Sequence, residues 1–242
     1  MKQRIDKLLI DRGLVPSRER AQAMVLAGRV LVNEQKVLKP GTSVETEATI
    51  RLLGDDPRYV SRGGLKLEKA LLHWQIDVAG KTCLDVGAST GGFTDCLLQH
   101  GAAKVIAVDT GYGQIDMKLR QDSRVILREK LNARYLKAEE VGESIALAVM
   151  DVSFISATLV LPAMIAAARP SAVVVLVKPQ FEVGREKVGK GGIVRDEAAQ
   201  VEAVQKVSDS LNQLGYLVSE PTDSPILGAE GNREFLLYAS RK

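Results

Sequence analysis

Cysteine and histidine are scarce, with two of each among the 242 residues, and aromatic residues make up only 4%. The two cysteines, Cys83 and Cys96, form no C-x-x-C pair, which argues against a disulfide scaffold or a zinc finger. Two histidines are too few for a histidine-rich metal site. We therefore expect no metal, and a reducing cytoplasm in which both thiols act as small apolar fillers.

Long apolar runs are also absent. The longest run, at 159–168, has about half of the ~20 residues that a membrane-spanning helix needs, and Pro162 interrupts it. The first six residues carry charges where a signal peptide needs an apolar stretch. The sequence therefore predicts a cytoplasmic protein with no membrane partner.

The formal net charge is only +3, which excludes a uniformly basic nucleic-acid-binding protein. The charge is unevenly distributed, because residues 1–53 hold ten Lys or Arg against six Asp or Glu, whereas the remainder holds 23 against 24. This asymmetry is typical of a small polyanion-binding module joined to a nearly neutral domain.

The first fifty residues read as a helix–helix–hairpin unit. Ile5, Leu8 and Leu9 share one helical face before Gly13, and Ser17 caps a second helix that ends at Gly28. Short strands are expected at 29–33 and 36–38, around a four-residue turn at 33–36, and again near Val44 and 50–52. The breaker-rich stretch 54–57 is the best domain boundary.

After this boundary the pattern alternates between strands and helices. We expect strands at 82–86, 104–109, 125–128, 147–151 and 172–178, and two late strands at 216–219 and 234–239. Near-continuous apolar strands such as 172–177 suit a parallel sheet covered on both faces. The predicted fold is a doubly wound, Rossmann-like α/β domain whose sheet is mostly parallel with an antiparallel last strand.

A glycine-rich loop follows the first strand of this domain. A nicotinamide fingerprint would need a glycine where Ser89 stands, so a dehydrogenase is disfavoured. The spacing G-x-x-x-G-G after Asp85 looks instead like the loop of S-adenosylmethionine-dependent methyltransferases. Asp109, at the end of the next strand, can accept hydrogen bonds from both ribose hydroxyls of a nucleoside. The cofactor-binding candidates are Asp85, Gly87, Ala88, Ser89, Gly91, Gly92, Phe93, Asp109 and Asn132.

Four charged residues are candidates for catalysis. Asp151 and Lys178 end two strands, and the carboxyl ends of parallel strands converge on a ligand crevice. Lys66 begins a helix and Glu234 opens the last strand. Other interpretations stay open for three of them: an exposed helical lysine at Lys66, an edge-strand charge at Glu234 and a helix cap at Asp151.

These segments resemble the FtsJ-type RNA ribose 2′-O-methyltransferases, whose active site is a Lys-Asp-Lys-Glu tetrad. Lys66, Asp151, Lys178 and Glu234 fall on that tetrad in chain order. The similarity is closer to the TlyA (haemolysin A) branch, which joins this domain to an RNA-binding domain like that of ribosomal protein S-four. The matching strings are VSRGG at 60–64, DVGASTGGFTD at 85–95, VKPQFE at 177–182, GKGG at 189–192 and GNREF at 231–235.

The resemblance, which covers essentially the whole chain, implies an RNA-binding domain at 1–53, a linker at 54–60 and a methyltransferase domain at 61–242. It implies S-adenosylmethionine as the cofactor. The implied reaction is 2′-O-methylation of a ribose, expected to be that of a cytidine, in ribosomal RNA or ribosomal subunits. No obligate protein partner is expected. Lys178 would be the general base, Asp151 would orient it, and Glu234 would orient Lys66 or the ribose. A protonated lysine must lose a proton before it can act as a base. Burial, or a second ammonium nearby, favours this neutral form.

Basic residues in both domains are expected to contact RNA phosphate. No aromatic residue precedes Tyr59, so the first domain should recognise shape and phosphate rather than base sequence. The glycine-rich stretch 184–192 predicts a mobile lid that touches RNA phosphate, with a plain flexible loop as the alternative. The RNA-binding candidates are Arg4, Lys7, Arg18, Arg20, Arg29, Lys36, Arg62, Lys187 and Lys190.

Two other functions compete with the methyltransferase. A non-catalytic RNA-binding or ribosome-assembly protein could keep the fold, although it need not keep four charged residues of a tetrad. A membrane-active haemolysin, suggested by the family's historical name, finds no spanning segment and no strongly amphipathic basic helix in the sequence.

Overall fold

The computed structural model describes residues 1–53, 58–228 and 231–242. The chain divides into two compact units, Met1–Asp56 and Pro57–Lys242. The linker predicted at 54–60 lies partly outside the described residues, which omit 54–57.

Two helices and two small sheets form the described part of the first unit. As predicted, Ser17 caps the second helix, its hydroxyl accepting a hydrogen bond from the Arg20 amide at 3.2 Å. The three-stranded sheet has the order β3-β2-β5, and β1 pairs with β4. Ile5, Leu9 and Val25 lie fully buried between helices and sheet. The elements are α1 (Ile5–Asp11), α2 (Arg18–Leu26), β1 (Lys2–Arg4), β2 (Val30–Val32), β3 (Gln35–Lys36), β4 (Ser43–Glu45) and β5 (Ile50–Leu52).

The hairpin between β2 and β3 is tighter than predicted. Val32 pairs with Gln35, so only Asn33 and Glu34 form the loop, and β3 begins one residue before the expected strand at 36–38. Both loop residues have positive φ, 50° and 64°, as a type I′ turn requires. Glu34, where glycine is common, pairs with the Arg51 guanidinium on the neighbouring strand β5. Strand β1 was not predicted, because a three-residue strand has no readable alternation.

The second unit alternates strands and helices as the sequence predicts. The helices are α3 (Gly63–His73), α4 (Gly92–Gln99), α5 (Met117–Arg120), α6 (Ala138–Val141), α7 (Leu161–Ala168), α8 (Pro179–Glu182) and α9 (Glu197–Gln213). The strands are β6 (Thr82–Val86), β7 (Lys104–Val108), β8 (Val125–Arg128), β9 (Leu147–Met150), β10 (Ala172–Val177), β11 (Tyr216–Val218), β12 (Thr222–Asp223) and β13 (Phe235–Arg241). Short 3₁₀ turns lie at Ala133–Tyr135, Ala157–Leu159, Arg185–Lys187 and Lys190–Gly192. All seven predicted strands are present to within two residues, and the two-residue β12 was missed.

The sheet of the second unit has the order β11-β13-β10-β9-β6-β7-β8 along its described path, with β12 paired to β13. Strands β10, β9, β6, β7 and β8 are parallel, and β13 runs antiparallel to β10, which confirms the predicted fold class. Alternate residues of β10 belong to different core clusters, Val173 and Val175 to one and Val174 to the other. Because successive side chains point to opposite faces of a sheet, both faces are covered.

One edge of this sheet collects the predicted site. The parallel strands β6, β7, β9 and β10 all end there, and β13 begins there because it is antiparallel. Val177 at the end of β10 pairs with Phe235 at the start of β13. Among the described residues, the structure contains no helix with both the length and the apolarity needed to cross a membrane.

Candidate active site

The glycine loop between β6 and α4 is held closely against its surroundings. Gly87 has φ +87°, and a Cβ there would lie 2.3 Å from the main-chain oxygen of Asp151. Gly91 has φ +96°, and a Cβ there would lie 2.3 Å from the Leu119 side chain. Both positions favour glycine for the backbone angle, and Gly87 also for space, because a Cβ there would meet fixed backbone.

A cavity of about 460 Å³, here called the loop cavity, opens beside this loop. Gly87, Ser89, Asp109 and Asn132 line it, so four of the predicted cofactor residues come together. The Asp109 carboxylate accepts the Ser89 amide at 2.7 Å and the Gly111 amide at 2.6 Å. Each carboxylate oxygen keeps acceptor capacity for a ligand hydroxyl. The volume lies within the range of about 300–1,000 Å³ typical of small-molecule sites.

Asp85 lies fully buried at the end of β6, behind the loop. One carboxylate oxygen accepts the Thr94 hydroxyl at 2.7 Å, and the other has no hydrogen-bond partner. Burial raises the pKa of this carboxyl to about 7, against the opposing effect of the Thr94 hydrogen bond. Asp85 therefore supports the loop from behind and does not line the cavity.

The four catalytic candidates form two ion pairs. The Lys66 ammonium pairs with Glu234, with side-chain exposures of 11% and 2%. The Lys178 ammonium lies 2.5 Å from the Asp151 carboxylate and donates to the Ser153 hydroxyl at 2.8 Å. Pairing each buried lysine with a carboxylate offsets the cost of burying its charge. Ser153 was missed by the sequence analysis, although it follows Asp151 by two residues.

The two ion pairs border adjoining cavities, which share lining residues. Lys66, Lys178, Asp151 and the loop residues Ala88, Gly92 and Phe93 line a central cavity of about 310 Å³, together with Arg62. This central cavity shares Gly87 and Ser153 with the loop cavity. A third cavity of about 520 Å³, here called the aromatic cavity, shares Lys66, Ser153 and Lys178 with the central one.

The aromatic cavity contains side chains that the sequence analysis did not select. Phe154 is 92% exposed, and its ring centroid lies 5.3 Å from that of Phe181. An exposed aromatic side chain costs solvation and therefore marks a surface for contact with a flat apolar group. In the sequence, the signal that could have identified this surface is the phenylalanine that follows Ser153 in the segment after β9.

The glycine-rich stretch 184–192 carries two of the predicted RNA-binding lysines. Lys187 pairs with Glu202 on α9, and Lys190 is exposed in the last 3₁₀ turn. The buried side chain of Asn232 donates to the Gly192 carbonyl at 2.9 Å and accepts the Val194 amide at 3.1 Å. The end of the predicted lid is thus tied to the segment before Glu234, and opening of this stretch stays a prediction.

In the first unit, Asp6 organises two of the predicted RNA-binding arginines. It is fully buried, accepts two hydrogen bonds from Arg4 at 2.8 and 3.0 Å, and lies 3.5 Å from the Arg18 side chain. The Arg4 hydrogen bonds lower the pKa of Asp6 well below its ordinary value. Both guanidinium groups are about half exposed, so they keep donors for an anion.

The remaining candidates of the first unit are dispersed. Lys36 lies on β3 and lines a groove with Lys2 and Lys39, two lysines that the sequence analysis did not select. Lys7 is exposed on α1, Arg20 lies in the first turn of α2, and Arg29 is half-buried before β2.

Family comparisons agree with this architecture. The FtsJ-like methyltransferase family matches residues 59–241, and the S4 domain matches residues 3–50. The fold, the glycine loop and these matches define a methyltransferase of the FtsJ-like class joined to an S4 domain.

Individual relatives narrow the class. The chain is 44% identical over 237 residues to the 16S/23S rRNA (cytidine-2′-O)-methyltransferase TlyA of Mycobacterium tuberculosis, covering 97% of this chain and 88% of the relative. It is 42% identical over 237 residues to Hemolysin A of Brachyspira hyodysenteriae, covering 97% and 98%. A solved structure from Streptococcus thermophilus, provisionally described as a hemolysin, is 43% identical with a TM-score of 0.77 and covers 100% of this chain and 89% of that one. The chain belongs to the TlyA (haemolysin A) family of FtsJ-like methyltransferases.

Proposed function

We propose that this protein transfers a methyl group from S-adenosylmethionine to the 2′-hydroxyl of a cytidine ribose in ribosomal RNA. The observation that carries the proposal is two ion pairs, the buried Lys66–Glu234 and the partly buried Lys178–Asp151, at cavities that adjoin the loop cavity. The named activity of the Mycobacterium tuberculosis relative supports the same substrate.

The loop cavity suits S-adenosylmethionine on two counts. Gly87, at φ +87°, lets the loop backbone turn so that it lines the cavity beside Ser89, and Asp109 offers acceptors for ribose hydroxyls. The bound cofactor supplies an already activated methyl sulfonium. The protein therefore has to bind, orient and deprotonate the acceptor.

Lys178 is the proposed general base. A ribose hydroxyl is a poor nucleophile and must lose its proton as it attacks. Lys178 in its neutral form accepts that proton at Nζ, while Asp151 and Ser153 fix the position of Nζ through contacts of 2.5 and 2.8 Å. Lys66, held by Glu234, lines both the central and the aromatic cavity, where it can donate to ribose oxygens.

We propose that basic side chains and aromatic rings of this chain both contact the RNA substrate. In the first unit, Arg4 and Arg18, both close to the Asp6 carboxylate, present guanidinium donors to phosphate. In the second unit, Phe154 and Phe181 offer rings against which a base can stack. The proposed substrate is ribosomal RNA, free or within a ribosomal subunit, and the proposed place of action is the cytoplasm.

Labelled-methyl transfer to unmodified ribosomal subunits, followed by mapping of ribose methylation, tests the proposal. The wild type is expected to label one or more cytidines. Lys178→Ala should lower kcat by at least about 10²-fold while cofactor binding measured by calorimetry survives. Lys81→Ala, an exposed lysine before β6 at the other end of the sheet, is the matched control and should keep full activity.

Three results would contradict the proposal. Near-normal turnover by Lys178→Ala would remove Lys178 from the mechanism. RNA binding without methyl transfer by the wild type would favour a non-catalytic assembly protein. Lysis of erythrocytes by the purified protein without any methyl transfer would favour the haemolysin.

A further inference from the structure

A buried carboxylate joins the two loops that carry Asp151 and Lys178. The Glu182 side chain is 2% exposed. One of its carboxylate oxygens accepts the Ala157 amide at 2.7 Å, and the other accepts the Ser156 hydroxyl. Both partners precede Glu182 by more than twenty residues, so these hydrogen bonds connect the segment after β9 with the segment after β10.

The segment after β9 is strained where it carries the site. Phe154 has φ +64°, which a bulky side chain adopts only when its surroundings enforce it. Asp151 and Ser153, the two partners of the Lys178 ammonium, lie three residues and one residue before Phe154. The two partners of Glu182, Ser156 and Ala157, lie two and three residues after it. Glu182 therefore holds the C-terminal side of a strained turn, and the N-terminal side of the same turn contacts Lys178, the proposed base.

The segment after β10 is equally well fixed. The Phe181 amide donates to the Lys178 carbonyl at 2.9 Å, so α8 is a direct continuation of the lysine backbone. On the outer side, the half-exposed Lys206 ammonium donates to the main-chain carbonyl of Glu182 at 2.7 Å and lies 3.5 Å from its carboxylate. Glu182 thus connects Lys178 to α9 as well as to the segment after β9.

We infer that Glu182 is a positioning residue for methyl transfer, which keeps Asp151 and Ser153 in contact with Lys178 by fixing the turn at Phe154. Glu182 does not line the loop, central or aromatic cavity. The inference rests on the proposed function and assigns to that reaction a residue outside the tetrad.

Kinetics of Glu182→Ala and Glu182→Gln test this role. Glutamine keeps an acceptor for the Ala157 amide and a hydrogen-bonding group for Ser156, whereas alanine keeps neither. Glu182→Ala is expected to lower kcat between about 10- and 100-fold with KM for RNA and cofactor affinity within about threefold, because small displacements of a base cost rate rather than binding. Glu182→Gln should keep kcat within about threefold of the wild type. Ser156→Ala, which removes one of the two bonds, should fall between them.

Hydrogen exchange provides a readout that does not depend on activity. Amides of 153–159 should exchange faster in Glu182→Ala than in the wild type, and at the wild-type rate in Glu182→Gln. Lys206→Met, which removes the contact to α9 but neither hydrogen bond to the segment after β9, should leave exchange at 153–159 at the wild-type rate. If the wild type itself transfers no methyl group, the proposed function fails, while the exchange result still decides whether Glu182 fixes the turn.

The inference is overturned if Glu182→Ala keeps kcat within twofold, or if its exchange at 153–159 is unchanged. It is also overturned if Glu182→Ala loses cofactor affinity in proportion to kcat, because that pattern reports general damage to the fold. If Glu182→Ala does not fold, Ser156→Ala and Glu182→Gln carry the same comparison.

Discussion

The buried ion pair between Lys66 and Glu234 allows stability and catalysis to be separated. With side-chain exposures of only 11% and 2%, neither charge can be hydrated well after its partner is removed. Lys66→Met leaves an unpaired carboxylate and Glu234→Gln leaves an unpaired ammonium. Each single change is expected to lower the free energy of unfolding by about 3 kcal/mol, the lower end of the range for breaking a buried pair.

The double variant carries no unpaired charge at this position. We expect Lys66→Met with Glu234→Gln to be destabilised by less than about 2 kcal/mol, because replacing a whole buried pair is often neutral. The coupling energy of the double-mutant cycle should then reach about 4 kcal/mol. All three variants should nevertheless lose methyl transfer, because Lys66→Met and the double variant lack the ammonium at the central cavity and Glu234→Gln no longer holds it in place.

The free energy of unfolding of each variant can be measured by urea unfolding followed by tryptophan fluorescence, which reports on the second unit, where this ion pair lies. Trp74 is the only tryptophan in the chain, it follows α3, which carries Lys66, and it stacks on Tyr238 at 5.7 Å. At about 2–4 °C per kcal/mol, a single variant should also melt roughly 6–12 °C lower. Additive destabilisation in the double variant, or recovery of methyl transfer by it, would refute the reasoning.

Three other perturbations have defined outcomes. The pKa of Asp85 is about 7 in the folded protein against an ordinary value of 3.8, so between these pH values the folded state holds a proton that the unfolded state has lost. The free energy of unfolding should therefore decrease as the pH rises from about 4 to about 7. Asp85→Asn should remove this decrease, measured as the urea midpoint at each pH. Gly87→Ala should weaken cofactor binding in calorimetry, because the new Cβ meets the Asp151 carbonyl, whereas Gly80→Ala, at φ +68° with open space, controls for backbone strain alone. Arg18→Gln should weaken RNA binding and reduce the slope of log K against log salt by about 0.9, and an unchanged slope would remove Arg18 from the phosphate contacts.

The strands and the glycine loop were predictable because their signals are local. An apolar run such as 172–177 identifies a doubly covered strand, and the loop needs small residues within one short stretch. Strands β1 and β12 were missed because two or three residues show no periodicity. The two-residue turn at Asn33 and Glu34 was misjudged because glutamate rarely adopts positive φ, and here Arg51 compensates it.

The supporting residues of the site were not predictable in the same way. Glu182 and Asp6 are charged residues that the sequence presents as ordinary surface positions, and both are buried. Their burial depends on partners supplied by the fold: Ser156 and Ala157 for the first, Arg4 and Arg18 for the second. Ser156 and Ala157 lie about 25 residues from Glu182, so no local pattern encodes that pairing; Arg4 is only two residues from Asp6, but the burial of Asp6 is fixed only when the rest of the unit packs around it.

The reversed direction of β13 decides which part of the chain can supply the fourth charged residue. In a parallel sheet, only the residues that leave a strand reach the ligand edge, while those that enter it lie at the far edge, about 20 Å away for a six-residue strand. Since β13 runs against β10, Glu234 enters its strand on the ligand side, opposite the exit of Lys178. A late segment of the chain thus completes the constellation without a further crossover helix, and the geometry of Glu234 is coupled to the register of a single strand pair. A one-residue slip of that pair would move the carboxylate away from Lys66 and turn the side chains of β13 to the opposite faces of the sheet.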